Sequence, residues 1–301
     1  MNKDYRGRFA PSPTGPLHFG SLIAAAGSYL EARSRDGEWL LRIEDLDPPR
    51  EIPGAADDII RALDRFGFEW DGEILYQSER YELYAQALET LTCKGLTYPC
   101  GCTRKEILRT AEFGEHGAIY PGACRNGLPE DKQARSVRIR TPDEVFQFSD
   151  RVQGTQAQNL LNELGDFLLK RADGLWAYNL AVVVDDGECA INDVVRGCDL
   201  LSFTNIQIFL QQGLDLPTPG YCHLPLASHA DGCKLSKQTL AQAITDYPPE
   251  RTLHQALTFL NHPPPEDMLG ASLFELWQWA IANWQLERIP ATRTMPAPEG
   301  F

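Results

Sequence analysis

The sequence predicts an α/β protein built on a doubly wound parallel sheet, and three observations carry that expectation. Strand-like and helix-like segments alternate through the first 93 residues, a Gly/Pro-rich loop joins the first strand to the first helix, and the alternation breaks after residue 95 and later resumes. Residues 5–11 read as a short strand. Residues 20–35, GSLIAAAGSYLEARSR, combine helical periodicity with strong helix formers, and GEWLLRIED at 37–45 reads as a buried strand. The breaker DPPREIPG leads to helices near 55–67 and 79–93. From 95 to 127 the chain is rich in Cys, Gly and Tyr, with one short helical stretch near 104–111. SVRIRTP and EVFQFSD read as antiparallel strands of a smaller lobe. Strand-like runs return at 166–171 and 176–185, followed by a helix near 201–213. Beyond about 240 the chain reads as helical, with Trp277, Trp279 and Trp284 as packing residues.

Composition narrows the function classes. The 301 residues are 43% hydrophobic, enough for one large core or two modest ones. The N-terminal MNKDYRGRF lacks the apolar stretch of a secretory signal, and runs such as LAVVV at 180–184 are too short for a bilayer. A cytoplasmic protein without a membrane partner is the expectation, so the eight cysteines are read as free or metal-bound thiols. A net charge of −14 argues against a general nucleic-acid sponge. Residues 100–140 run against it, with eight Lys/Arg facing five Asp/Glu. The tail after 240 carries three arginines against seven acids, an unfavourable surface for RNA.

Two separated stretches carry the chemistry. RFAPSPTGPLHFG, residues 8–20, is a loop feeding a helix N-terminus, where backbone N–H groups and the helix dipole favour an anion. Gly15 and Gly20 allow phosphate to approach the backbone, and His18 can donate to a phosphate oxygen as charge develops. The loop matches neither a Walker A sequence nor G-x-G-x-x-G. In HADGCKLSKQTL, 229–240, Lys234 and Lys237 are two mobile point charges suited to a triphosphate. Each stretch alone reads more readily as a surface turn or loop. Between them lies RIEDLDPPR, whose Glu44, Asp45 and Asp47 suit a metal cluster, a substrate clamp or a solvated turn. Glu44 follows a buried strand, at the sheet edge where ligands collect.

Together these motifs resemble the class I aminoacyl-tRNA synthetases. Their HIGH signature reads here His18-Phe19-Gly20-Ser21, and their KMSKS signature reads Lys234-Leu235-Ser236-Lys237-Gln238. RFAPSPTGPLHFGS and LRIEDLDPPR resemble the glutamyl branch, and the likeness spans most of residues 5–240. It implies a Rossmann-type sheet divided as follows: a first half at 1–95, an inserted zinc-containing lobe at 96–160, a second half at 161–238 ending in the lysine loop, and a short helical region at 239–301. ATP with Mg²⁺ would be held by His18, Gly20, Lys234 and Lys237, with His18, Gly20 and Lys237 catalytic. The resemblance assigns the glutamate α-ammonium to Glu44. Arg8 and Arg196 are candidates for the side-chain carboxylate, since a guanidinium meets a carboxylate bidentately. Arg196 falls in the family's VxRGxD-like segment, Tyr178 resembles its substrate-facing tyrosine, and Ser12 completes the pocket.

Cys100-x-Cys102 and Cys124 supply three thiolates for a tetrahedral Zn²⁺. Ligand chemistry alone favours His116 as the fourth ligand. The shortened glutamyl-synthetase relatives carry C-x-C…Y-x3-C, and Tyr120-x3-Cys124 fits that pattern. With 63 residues after Gln238, the chain most resembles this truncated branch. The resemblance implies tRNA-independent activation of L-glutamate to glutamyl-adenylate, then transfer to the cyclopentene-diol of queuosine in the anticodon arm of tRNA(Asp), by a monomer. Arg104 and Lys105 are expected on that RNA. A compact synthetase charging the tRNA 3′ end is the competing enzyme, and an inactive synthetase-like zinc module the competing non-enzyme. Adenylyltransferases with an HxGH-like loop would leave RIEDLDPPR and the cysteines unexplained.

Overall fold

The computed structural model describes residues 5–114, 117–228, 242–299 and 301. Strand β1 (Arg6–Phe9), helix α1 (Phe19–Arg33), β2 (Glu38–Ile43), α2 (Ala55–Arg65), β3 (Leu75–Tyr76) and α3 (Tyr81–Cys93) form the alternating first part. β1, β2 and β3 pair in parallel, in that order. Then follow β4 (Thr97–Cys100), α4 (Arg104–Thr110), the small β5 (Phe113–Gly114) and β6 (Gly117–Ala118), β7 (Ser136–Ile139), β8 (Val145–Asp150), β9 (Gly154–Asn159), α5 (Leu160–Glu163) and β10 (Leu168–Lys170). The chain continues through α6 (Tyr178–Glu188), β11 (Asp193–Gly197), α7 (Thr204–Gly213), β12 (Gly220–Leu224) and β13 (Leu226–Ser228), and ends with α8 (Pro249–Phe259), α9 (Leu273–Asn283) and β14 (Thr294–Pro296).

β11 pairs with β12 in parallel and lies beside β1, where the Asn192 N–H donates to the Arg6 carbonyl at 3.1 Å. The parallel α/β architecture is therefore as the sequence predicts. The strand-like run at 176–185 is instead helix α6. An apolar run of this length looks the same in a buried strand and in a buried helix, and here Leu180 to Asp186 are buried throughout. The strands at 136–142 and 144–150 also part company. β7 joins β4 and β10 in an antiparallel sheet, whereas the β8–β9 hairpin joins β12.

Helix α1 is the central pillar. It packs against β1, β2 and β11 and against α8 and α9, so Ala25, Ala26, Ala32, Leu22, Ile23 and Leu30 are buried. Gly27 sits where β12 approaches: a Cβ there would lie 2.4 Å from Leu224 Cδ1. The C-terminal tryptophans pack as expected. Trp277 donates to the Phe66 carbonyl (2.8 Å) and Trp284 to Glu31 (2.7 Å), while Trp279 lies against the same core.

Candidate active site

The parallel strands β1, β2 and β11 end together, and their C-terminal ends carry the chemistry-bearing residues. β1 runs into the Pro/Gly loop, which is pinned at three carbonyls. Glu44 N–H donates to Pro11, Ile52 N–H to Pro13 and Ile244 N–H to Leu17, at 2.9, 3.0 and 2.9 Å. Gly15 adopts φ 139, a region that side-chain-bearing residues rarely occupy. The loop is thus held from three directions. It delivers His18 as the N-cap of α1, the imidazole Nδ1 accepting from the Ser21 N–H at 3.3 Å.

A cleft of about 300 Å³ opens above this loop. Arg8, Ser12, His18, Gly20, Tyr178 and Arg196 all line it, so six of the residues expected from sequence converge. An adjoining cleft of about 360 Å³ shares Ser12 and Tyr178 and adds Glu44 and Gln77. Lys234 and Lys237 lie outside the described residues.

Arg196 is the cation best prepared for a ligand. It is 5% exposed. Its Nε donates to His223 Nε2 (2.9 Å), Nη1 to Gln207 Oε1 (2.8 Å), and Nη2 to Thr204 Oγ1 (2.9 Å) and the Leu200 carbonyl (3.5 Å). Behind it, His223 Nδ1 lies 2.6 Å from Asp150 Oδ2. Burial holds the His223 pKa down at about 4, against the pull of Asp150, so the ring is neutral. Its one N–H then faces Asp150, and Nε2 is left to accept from Arg196. Among the described residues, every partner of Arg196 is uncharged. A buried guanidinium without a counter-ion favours an incoming carboxylate.

Arg8 differs, because Asp186 already engages it. Arg8 Nε donates to Asp186 Oδ1 at 3.2 Å, and the same oxygen accepts from Arg42 Nη1 at 2.7 Å. Burial raises the Asp186 carboxyl, but the charges of Arg8 and Arg42 outweigh it and the pKa falls below the usual value. Arg42 also reaches Glu44 Oε1 at 3.3 Å. Burial nevertheless prevails at Glu44, 8% exposed, and lifts its pKa to about 7 despite Arg42 and Arg8. Beside it, Gln77 donates its amide N–H to Asp185 (2.7 Å), while its Oε1 is buried without a partner among the described residues. Asp45, by contrast, accepts from the N–H and hydroxyl of Ser78, and Asp47 pairs with Arg50 and Arg171. A three-carboxylate metal cluster is not assembled there. Sequence reasoning missed Arg42, Asp150, Asp186 and His223: Arg42 also meets Glu44 two residues on, but its bond to Asp186, and those of Asp150, Asp186 and His223, join residues distant in sequence that no spacing marks.

A second constellation lies apart. The sulfurs of Cys100, Cys102 and Cys124 fall within 4.8 Å of one another. The Tyr120 hydroxyl is 3.4 Å from Cys100 Sγ and 3.6 Å from Cys102 Sγ, and it accepts from the Cys124 N–H at 2.9 Å. His116 lies outside the described residues. Ligands about 2.3 Å from a tetrahedral zinc stand roughly 3.8 Å apart, so this donor set fits one ion. Arg138 Nε lies 3.4 Å from Cys100 Sγ and Lys132 Nζ 3.9 Å from Cys102 Sγ, cations facing the sulfurs as thiolates require.

These features have counterparts in known proteins. The model of the class I tRNA synthetase (E and Q) catalytic domain matches residues 4–261. The Glutamyl-Q tRNA(Asp) synthetase of Chromobacterium violaceum is 58% identical over 290 residues, 96% of this chain and 97% of that protein. The protein of the same name from Dechloromonas aromatica is 54% identical, over 96% of this chain and 97% of its own. Among solved structures, a glutamate-tRNA synthetase from Elizabethkingia anophelis superposes with a TM-score of 0.82 at 25% identity, covering 98% of this chain and 68% of that one. With the site residues gathered at the sheet edge, these matches identify the chain as a member of the class I tRNA synthetases of the E and Q type, within the glutamyl-Q tRNA(Asp) branch.

Proposed function

We propose that the chain is a cytoplasmic, ATP-dependent ligase that activates L-glutamate without tRNA and transfers it to the queuosine of tRNA(Asp). The single observation that carries this reading is Arg196, a buried cation lining the cleft whose partners among the described residues are all neutral. It would take the glutamate side-chain carboxylate, with Arg8 nearby. Glu44 would take the α-ammonium beside Tyr178 and Ser12. The α-carboxylate would then lie near the α1 N-terminus, where His18 and the N–H groups around Gly20 face the phosphates. Its oxygen attacks the α-phosphorus of ATP, pyrophosphate leaves, and glutamyl-adenylate forms. Lys234 and Lys237 would grip the phosphates, and Mg²⁺ with ATP would neutralise their charge. A hydroxyl of the cyclopentene-diol next attacks the activated carbonyl and AMP leaves.

Cys100, Cys102, Cys124 and Tyr120 would hold one structural Zn²⁺. Exposed Arg104, Lys105 and Arg109 on adjoining α4 would meet the anticodon-arm phosphates. Relatives that carry the glutamyl-Q name are matched over nearly their whole length, which favours queuosine over the tRNA 3′ end as acceptor. The test is glutamate-dependent ATP–pyrophosphate exchange without tRNA, followed by labelled-glutamate transfer to tRNA(Asp) with and without queuosine. Exchange plus queuosine-dependent transfer is expected. No exchange overturns the enzyme, and queuosine-independent transfer overturns the acceptor.

A further inference from the structure

A second polar cavity, of about 340 Å³, adjoins the catalytic cleft and has no part in the chemistry above. Asp199 lines both, so the two are neighbours across the segment that follows Arg196. Three amide side chains line it, Gln156 and Gln158 on β9 and Asn205 at the start of α7, of which Gln158 is 7% and Asn205 3% exposed. Among the described residues, Gln158 Oε1 and Asn205 Oδ1 are both buried without a hydrogen-bond partner. One unpaired buried amide oxygen is costly, and two on side chains that line the same cavity call for a donor that each could meet by turning its amide.

The framework behind them is fixed. Gln158 pairs in register with Phe146 of β8, and Phe146 packs edge-on against Phe209 of α7, 5.5 Å between ring centres. Cys198, on the rim, donates to the His223 carbonyl at 3.5 Å, which ties the cavity to the scaffold holding Arg196. The lining argues against a phosphate ligand, since Glu163 and Asp199 outnumber Arg293. Amides offer a donor and an acceptor together, the pattern that matches the edge of a nucleobase.

We propose that this cavity is a base-recognition subsite in which Gln158 and Asn205 read an unstacked nucleobase of the acceptor RNA. The inference rests on the proposed function, because it supposes that single-stranded RNA enters beside the activated glutamate. A base seated there lies one residue segment from the glutamyl pocket, so binding it would also position the acceptor hydroxyl.

The two half-reactions give the test. Gln158→Leu and Asn205→Leu are compared with the unaltered chain in pyrophosphate exchange and in transfer to queuosine-bearing tRNA(Asp). The expected result is unchanged exchange with a tRNA KM raised about 10-fold or more. Anticodon-loop hairpins altered at single positions beside the modified base extend it: the unaltered chain should discriminate among them, and the variants should lose that discrimination. Gln158→Glu and Asn205→Asp, which keep an acceptor oxygen, cover the case in which leucine prevents folding and are expected to shift the base preference. Equal losses in both half-reactions of every folded variant, or an ATP KM that rises while the tRNA KM does not, would overturn the subsite. Absence of transfer by the unaltered chain would instead remove the functional reading on which it rests.

Discussion

Arg196 and Arg8 show how two arginines in one cleft acquire different work. Arg8 already faces Asp186, whereas Arg196 is held by His223, Gln207 and Thr204, which orient it without cancelling its charge. Arg196→Lys keeps the charge but loses the planar fork and its three neutral anchors. A charge-assisted hydrogen bond contributes roughly 1.5–3 kcal/mol, so kcat/KM for glutamate in the exchange reaction should fall about 10- to 100-fold while the ATP KM stays put. A variant with unchanged glutamate kinetics would remove Arg196 from the pocket. Glu44 makes a pH prediction. Its pKa is raised to about 7 by burial, so the carboxylate able to receive an ammonium is the form present above that pH. The affinity for glutamate should therefore plateau above pH 7 and decline about tenfold per unit below it, as the kcat/KM profile of the free enzyme would record. Glu44→Gln should lower kcat/KM and flatten that acidic limb. A limb that persists in Glu44→Gln would belong to another group.

At the level of the elements, Gly27 tests how closely α1 approaches the sheet. Alanine normally favours a helix interior over glycine by roughly 0.5–1 kcal/mol. Here a Cβ would meet Leu224 Cδ1 at 2.4 Å, and overpacking of that kind costs about 1–3 kcal/mol. Gly27→Ala should therefore lower the denaturant midpoint, whereas a raised midpoint would mean that Leu224 yields without strain. The first α/β segment was legible because each signal there is local: a breaker loop, a helix-forming run and an apolar strand lie side by side. Helix α6 was not legible. Val182, Val183 and Val184 favour a strand by intrinsic preference, and burial against its neighbours overrides that preference. The β8–β9 hairpin failed in another way, since its partner β12 comes some seventy residues later and no local pattern names it. Arg8, Ser12, Tyr178 and Arg196 could be picked from sequence only through motif resemblance. The Asp150–His223–Arg196 relay had no such motif, and only folding brings its members together.

Across the whole molecule, the buried apolar residues fall into separate groups. One large group surrounds α1 with the C-terminal helices, and another lies between α3, α6 and α7. Among the described residues, the cysteine-bearing region has only Tyr98, Cys100, Tyr120 and Cys124, edged by Cys102 and Ile107. So small a cluster cannot order a lobe by apolar burial, and three thiolates around one ion would supply what burial does not. Removing that ion should then have a divided effect. After treatment with a strong chelator, a low-temperature unfolding step for this lobe should move down or disappear while the main transition stays. Glutamate-dependent exchange should persist, because Arg196, Glu44 and the α1 N-terminus sit on the larger groups. Transfer to tRNA(Asp) should fall, because α4 and its exposed cations depend on the lobe. Cys124→Ser should reproduce the chelated behaviour, and added Zn²⁺ should restore the unaltered chain but not the variant. If purified protein carries no metal and neither half-reaction responds to the chelator, the three thiols are held together by packing alone.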